Sequence, residues 1–281
     1  MSKEYRYRNH IRWGQYAIPI LFGIIVIGLC GCLGIPLVSE SMSLPALLLV
    51  PALSFILLLE GILLWYLFYR LAGICVSIND DAIIYKYRRG EKRIQFDSIS
   101  RLKFPSLPYV GGWVKITSKN DKIRLTVVVE NIGDFLQELK ASLDNRGLSD
   151  RYDEVKLFRF LKTAVYSDQG WARFYSVFWK LILVSILNAA IGFAFAALGK
   201  AGSLERVLWI AISTLWPTII YLGTEVVFGQ RIARQSTKES FTCPPRDTVY
   251  EMVVYRKAVL LGILLYFGVS LIVLLLSLFS R

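Results

Sequence analysis

The sequence predicts a multi-pass α-helical membrane protein of about five spans, with a small antiparallel β-barrel or sandwich, capped by a C-terminal helix, inserted after the second span. Three observations predict it. Five apolar stretches each approach or exceed the roughly 20 residues a helix needs to cross a bilayer core. Between the second and third, continuous apolarity gives way to apolar–polar alternation, the mark of half-buried strands. One amphipathic helix then closes the alternating segment. The composition agrees, because 55% of the 281 residues are hydrophobic while the chain still carries a net charge of +12. With only 4 Cys, 9 Pro and 20 Gly, disorder, collagen-like repeats and a small disulfide scaffold are excluded.

The first two spans are expected at 15–38 and 46–69, behind an N-tail of residues 1–14. The first is too long for the apolar part of a secretory signal. Three further spans are expected within residues 174–281, at 174–199, 207–230 and 258–280, with a loop at 231–257 between the last two. Lys and Arg set the direction. The N-tail, residues 70–173 and the loop hold 29 of the 33 Lys and Arg, so these pieces are predicted cytoplasmic and the C-terminus outside. After their acids are subtracted they carry +3, +6 and +3, which is the whole net charge. A basic inner side suits an anionic inner leaflet, where each nearby Lys or Arg is worth about 1 kcal/mol.

The alternating segment, residues 70–147, reads as a cytoplasmic domain. Strands are expected at 73–78, 82–88, 92–96, 99–104, 113–118 and 122–129, with turns at Asn79-Asp80-Asp81, Arg89-Gly90-Glu91 and Lys119-Asn120-Asp121. Asn131 is placed to cap the closing helix. In that helix Ile132, Phe135, Leu136, Leu139 and Leu143 form an apolar stripe for the open end of a sheet.

This order resembles the bacterial pleckstrin-homology (PH)-like domains of membrane-anchored proteins. The resemblance covers residues 71–143 and rests on three pieces: "CVSINDDAIIYKY", "RIQFDSISRLKF", and the hairpin "WVKITSKNDKIRLTVVV" running into "ENIGDFLQELKASL". A transmembrane hairpin just before the domain is also similar to the family. The resemblance implies an interaction or scaffolding module in a bacterial inner membrane rather than an enzyme, within a larger complex or homo-oligomer. Relatives that bind phosphoinositides use basic residues in the first hairpin loop, and here that loop is the acidic Asn79-Asp80-Asp81, so inositide binding is not carried over. The basic loop is the next one, Arg88, Arg89, Lys92 and Arg93, a candidate contact for anionic lipid or a protein partner. No nucleic-acid partner is expected, because the strand faces lack an aromatic stacking platform.

Residues 148–173 read as an amphipathic juxtamembrane segment, with Val155, Leu157, Phe158, Phe160 and Leu161 between Lys156, Arg159 and Lys162, either lying on the inner leaflet or packing its apolar face against the β domain. Charges within spans are functional candidates by default. Glu60, Lys180 and Glu225, with the polar Asn188, form a candidate intramembrane cluster, in which Lys180 pairs with Glu60 or Glu225 or the carboxylates line a transport path. Gly192 and Ala196 give a small-residue face for close helix approach. Thr248 and Glu251 have capping-box spacing at the start of the fifth span. Cys30 and Cys32 point in different directions on a helix, and with His10 as the single histidine neither a disulfide nor a metal or cofactor site is expected. No catalytic motif is found. The competing class is a small transporter or pore-forming component using Glu60, Lys180 and Glu225.

Overall fold

The structure, a computed structural model, describes residues 3–38, 44–119, 121–198, 202–239 and 241–279. In chain order its elements are β1 (Glu4–Arg6), α1 (Asn9–Val38), α2 (Leu44–Ala72), β2 (Cys75–Ile78), β3 (Ala82–Tyr87), β4 (Gly90–Gln95), β5 (Ile99–Lys103), β6 (Ser106–Leu107), β7 (Gly111–Ser118), β8 (Lys122–Thr126), α3 (Ile132–Asp144), α4 (Glu154–Leu198), α5 (Ser203–Gln235) and α6 (Thr248–Phe279). Among the described residues, α1, α2, α4, α5 and α6 are long and apolar enough to cross a membrane. Their outward surfaces are apolar as well: Ile20, Leu63, Trp179, Leu187, Leu222 and Leu264 are all exposed. Apolar surface on that scale fits a membrane protein. The chain divides into two compact units, Met1–Ser106 with Gly112–Leu157, and Leu107–Gly111 with Phe158–Arg281.

The first unit departs from expectation at its beginning. The N-tail, expected as a separate piece, contributes a strand. β1 pairs antiparallel with β2, Glu4 facing Ser77, Tyr5 facing Val76 and Arg6 facing Cys75. The sheet order is β1-β2-β3-β4. The physical reason lies in two aromatic side chains. Tyr5 and Tyr7 are 2% and 1% exposed, and the Tyr5 ring meets Phe135 of α3 edge-on at 5.3 Å. Tyr7 bridges to Val129 beyond β8. Helices α1 and α2 are therefore an insertion between two neighbouring strands of one sheet. They pack closely where glycine allows it: Gly14 lies against Phe68, and a Cβ on Gly61 would come within 2.7 Å of the Phe22 ring.

The second sheet has the order β5-β7-β6, with β8 also pairing β7. Alternation works as expected in it. Leu102, Val114, Ile116, Ile123 and Leu125 point inward and are at most 4% exposed. The five α3 stripe residues are at most 1% exposed and close the core between the sheets, each large apolar side chain contributing about 1.5–3 kcal/mol. Asn131 occupies the N-cap position with a left-handed backbone, φ 54°, and no side-chain capping bond. At the far end of α3, Arg146 reaches back to the acidic β2–β3 turn, pairing with Asp81 at 3.1 Å.

The juxtamembrane segment runs on into the third expected span: residues 154–198 form one unbroken helix of 45 residues, about 68 Å long. Nothing in it breaks a helix: Gly170 is tolerated and proline is absent. At that length α4 exceeds a bilayer core of about 30 Å by two-fold. Its N-terminal half is buried on one side through Leu157, Phe158, Phe160, Leu161 and Ala164. Farther along, Gly192 and Ala196 are buried as the small-residue spacing predicts. A Cβ on Gly192 would meet the Trp209 carbonyl of α5 at 2.8 Å. α5 and α6 are joined by the Trp216 indole donating to the Gly262 carbonyl at 2.9 Å, and by a 2.7 Å bond between the Ser213 and Tyr266 hydroxyls.

Candidate functional site

The basic β3–β4 loop divides into different roles. Arg88 turns back onto the hairpin: its Nε donates to the Tyr69 carbonyl at 3.0 Å, its other end reaches Gln15, and its guanidinium lies 3.8 Å from the Tyr69 ring. Gly73 is required beside it, since a Cβ there would overlap the Arg88 side chain. Lys92 pairs with Asp121 of the β7–β8 turn at 2.6 Å. That carboxylate, the larger influence, holds the Lys92 ammonium above its ordinary pKa range. Arg89 and Arg93 remain exposed. Half of the quartet thus braces the fold, and Arg89 and Arg93 stay available to a ligand.

The intramembrane candidates fall in both units, Glu60 in the first and Lys180, Asn188 and Glu225 in the second. Glu60 is exposed on α2, flanked by exposed Leu58, Leu59, Ile62 and Leu63. Within the second unit Lys180 is exposed on α4 and Asn188 is half-buried. Among the described residues neither Glu60 nor Lys180 forms a salt bridge. Glu225 is taken by a residue that sequence reasoning did not nominate, Arg173. The two make a bidentate pair, Nε to Oε1 at 2.9 Å and Nη2 to Oε2 at 2.6 Å. Arg173 is 1% exposed by its side chain and Glu225 11%.

Around this pair the three helices of the unit converge. The third Arg173 nitrogen approaches Glu251 of α6 at 3.4 Å. Arg246, in the chain leading into α6, grips the same carboxylate from its other side, Nε at 3.0 and 3.1 Å and Nη2 at 2.9 Å. Two guanidinium groups and two carboxylates therefore cancel. Phe228 lies under the Arg173 guanidinium at 4.3 Å, and Tyr221 stacks on Tyr255 at 6.4 Å nearby. A second ion pair, Arg231 with Asp247 at 3.0 Å, flanks the first, with Tyr250 4.2 Å from its guanidinium. These residues also revise the start of α6. Asp247 caps the helix by accepting from the Tyr250 N–H at 3.0 Å, and Glu251, expected in a capping box with Thr248, is turned into the ion cluster. The reason is energetic: a carboxylate facing a buried guanidinium gains more than one facing an exposed helix terminus.

Sequence signals for the cluster were present. Arg173 sits in an aromatic run, Trp171, Phe174, Tyr175, Phe178 and Trp179, close to the start of its span, as Glu225 is close to the end of the next. Counting Arg173 as the last residue of a flanking segment hid it.

No group of three or more His, Cys, Asp or Glu among the described residues could hold a metal ion. Cys75 and Cys243 are free thiols, and burial, the largest influence on each, pushes both above the usual thiol range. The side chains of Cys30 and Cys32 lie outside the described residues. No protein-family model, curated protein or solved structure matches the chain.

Proposed function

We propose that this chain is a bacterial inner-membrane scaffold that presents a PH-like interaction domain at the cytoplasmic surface for a protein partner. One observation carries the reading. The hairpin α1–α2 is built into the β domain, between the paired strands β1 and β2, and Arg88 clamps the next turn onto both hairpin helices. An interaction surface joined in this way keeps a fixed position relative to the hairpin helices α1 and α2. A flexible linker would not hold it so. Two antiparallel sheets followed by an amphipathic helix support the PH-like identity of the domain, and the lysine–arginine distribution supports its cytoplasmic placement. The ion cluster of Arg173, Glu225, Glu251 and Arg246 is satisfied internally, as a structural joint would be.

A second reading, a transporter component, draws on Glu60. A carboxylate exposed among leucines at membrane depth is expensive and marks either a partner helix or a wet path.

Photo-crosslinkers placed at exposed Arg89 and Gln95, followed by purification in mild detergent, test the first reading. The expected product is one defined partner in constant proportion, retained by Glu60→Gln. Recovery of the bare 32.0 kDa chain alone would sink it. Solute uptake by proteoliposomes that Glu60→Gln abolishes would establish the second.

A further inference from the structure

Strand register assembles a surface that the linear sequence scatters over 26 residues. Lys103 of β5 lies directly opposite Lys115 of β7, and Lys115 lies directly opposite Arg124 of β8. One step along, Arg101 is opposite Thr117, which is opposite Lys122. Trp113 and Thr126 form the next rank. Seven of the eight side chains occupy the outward face, because their neighbours Leu102, Val114, Ile116, Ile123 and Leu125 fill the core, while Thr126 turns its hydroxyl to that of buried Tyr7 at 3.4 Å. The face therefore carries Arg101, Lys103, Lys115, Lys122 and Arg124, together with Thr117 and Trp113, and no acid.

The first sheet shows how unusual this is. There Lys86 is opposite Glu91 and within 4.0 Å of Glu4, and Arg6 pairs with Glu4 at 2.6 Å. Its signs are mixed, and each acid there has a cation beside it, although Arg93 stays exposed. On the second sheet like charges stand directly opposite one another, an arrangement that destabilises a sheet. None of the five makes a salt bridge among the described residues. An external anion would relieve that repulsion.

We infer that this face is a contact for the anionic headgroups of the same bilayer that holds the hairpin. Three observations select that partner. The connections to the hairpin are short: β1 ends at Arg6 and α1 begins at Asn9, while α2 ends at Ala72 and β2 begins at Cys75. Arg88 ties the β3–β4 turn to the Tyr69 carbonyl, and Lys92 then ties the β7–β8 turn, at the Lys122 end of the face, to the same region. The face is also a flat field of separate cations. Its one aromatic, Trp113, is covered by the Arg124 guanidinium at 3.7 Å, leaving no apolar anchor of the kind protein interfaces centre on. A headgroup layer needs no anchor, and an amphipathic indole beside it is ordinary at a membrane interface. The inference specifies the lipid side of the scaffold proposed above and rests on the membrane placement in that reading, though not on the partner.

The test uses the full chain in nanodiscs of zwitterionic lipid, with or without phosphatidylglycerol. Acetylation rates of Lys103, Lys115 and Lys122 are read by mass spectrometry, with Lys156 as internal reference. Phosphatidylglycerol should slow the three by about fivefold or more, and molar salt should remove the effect as the screening length falls to about 3 Å. The variant Arg101→Glu with Arg124→Glu should lose the protection without any fall in its thermal unfolding midpoint, since the carboxylate introduced at position 124 would face Lys115. Equal rates in both discs overturn the inference. So does protection that appears only on adding polyglutamate, which would give the face to an acidic polypeptide. Because the scaffold reading is judged by partner recovery, either can fail alone.

Discussion

Arg173 carries the largest burden of any single residue in the helical unit. Its guanidinium is almost wholly removed from water, and it is tolerated there because Glu225 accepts two bonds and Glu251 a third. Breaking such a pair costs more than never having built it, since the surviving charge stays buried without compensation. Arg173→Met should therefore destabilise the protein by about 3–5 kcal/mol. Arg173→Met with Glu225→Gln should recover part of that loss, because no ion is then stranded at Glu225, while Glu251 keeps Arg246. Thermal or denaturant unfolding in detergent reads both. A double variant as unstable as the sum of the two singles would mean that the residues are not coupled. Legibility at this scale was partial. Glu225 is conspicuous in sequence because it interrupts an apolar run. Its partner is not, because a cation at the edge of a span looks like ordinary flanking charge. Arg88 was picked out for its charge, yet the Tyr69 carbonyl that it serves leaves no trace in sequence.

Among the elements, strands β2 to β5, β7 and β8 and the helix α3 were legible to within a few residues, because each writes a period of two or 3.6 in its apolar positions. β1 was not. Three residues are too few for periodicity, and a hairpin of two long helices separates them from their pairing partner. Its importance is in the burial. Tyr5 fills the space between the first sheet and α3, its hydroxyl donating to Glu138 at 2.7 Å, and Tyr7 is buried beside Thr126 and Val129 at the end of β8. Tyr5→Ala with Tyr7→Ala should remove several kcal/mol of domain stability, each large-to-small aromatic change costing about 3–5 kcal/mol when buried. Limited proteolysis is the sensitive readout. Cleavage in the β2–β3 and β7–β8 turns should accelerate while the apolar helices stay protected. Unchanged cleavage would mean that the N-terminal strand lies on the domain without supporting it. The same geometry explains why helix boundaries were easier than helix continuity. α4 crosses from a mixed polar–apolar segment to a wholly apolar one without any residue that would end a helix.

Across the whole molecule, the excess of positive charge and the apolar length turn out to occupy different places. The net +12 is borne by the segments outside the long apolar runs, and strand register concentrates five of those cations on one sheet face. If the positive-inside rule sets the orientation, the β domain and the chain between α5 and α6 share one side, and the connection between α4 and α5 lies on the other. In a variant with its native cysteines replaced by serine, a single cysteine at Arg89 or Lys238 should resist a membrane-impermeant maleimide in intact cells. One at Gly202 should react. All three positions are exposed, so accessibility depends on sidedness rather than on burial. Labelling of Arg89→Cys together with Gly202→Cys would place the domain and that connection on one side, which the charge distribution forbids. The proposed orientation and the proposed headgroup contact would support each other: an inward-facing domain would meet the anionic leaflet, and a basic face on that leaflet would add to the bias that keeps the domain there.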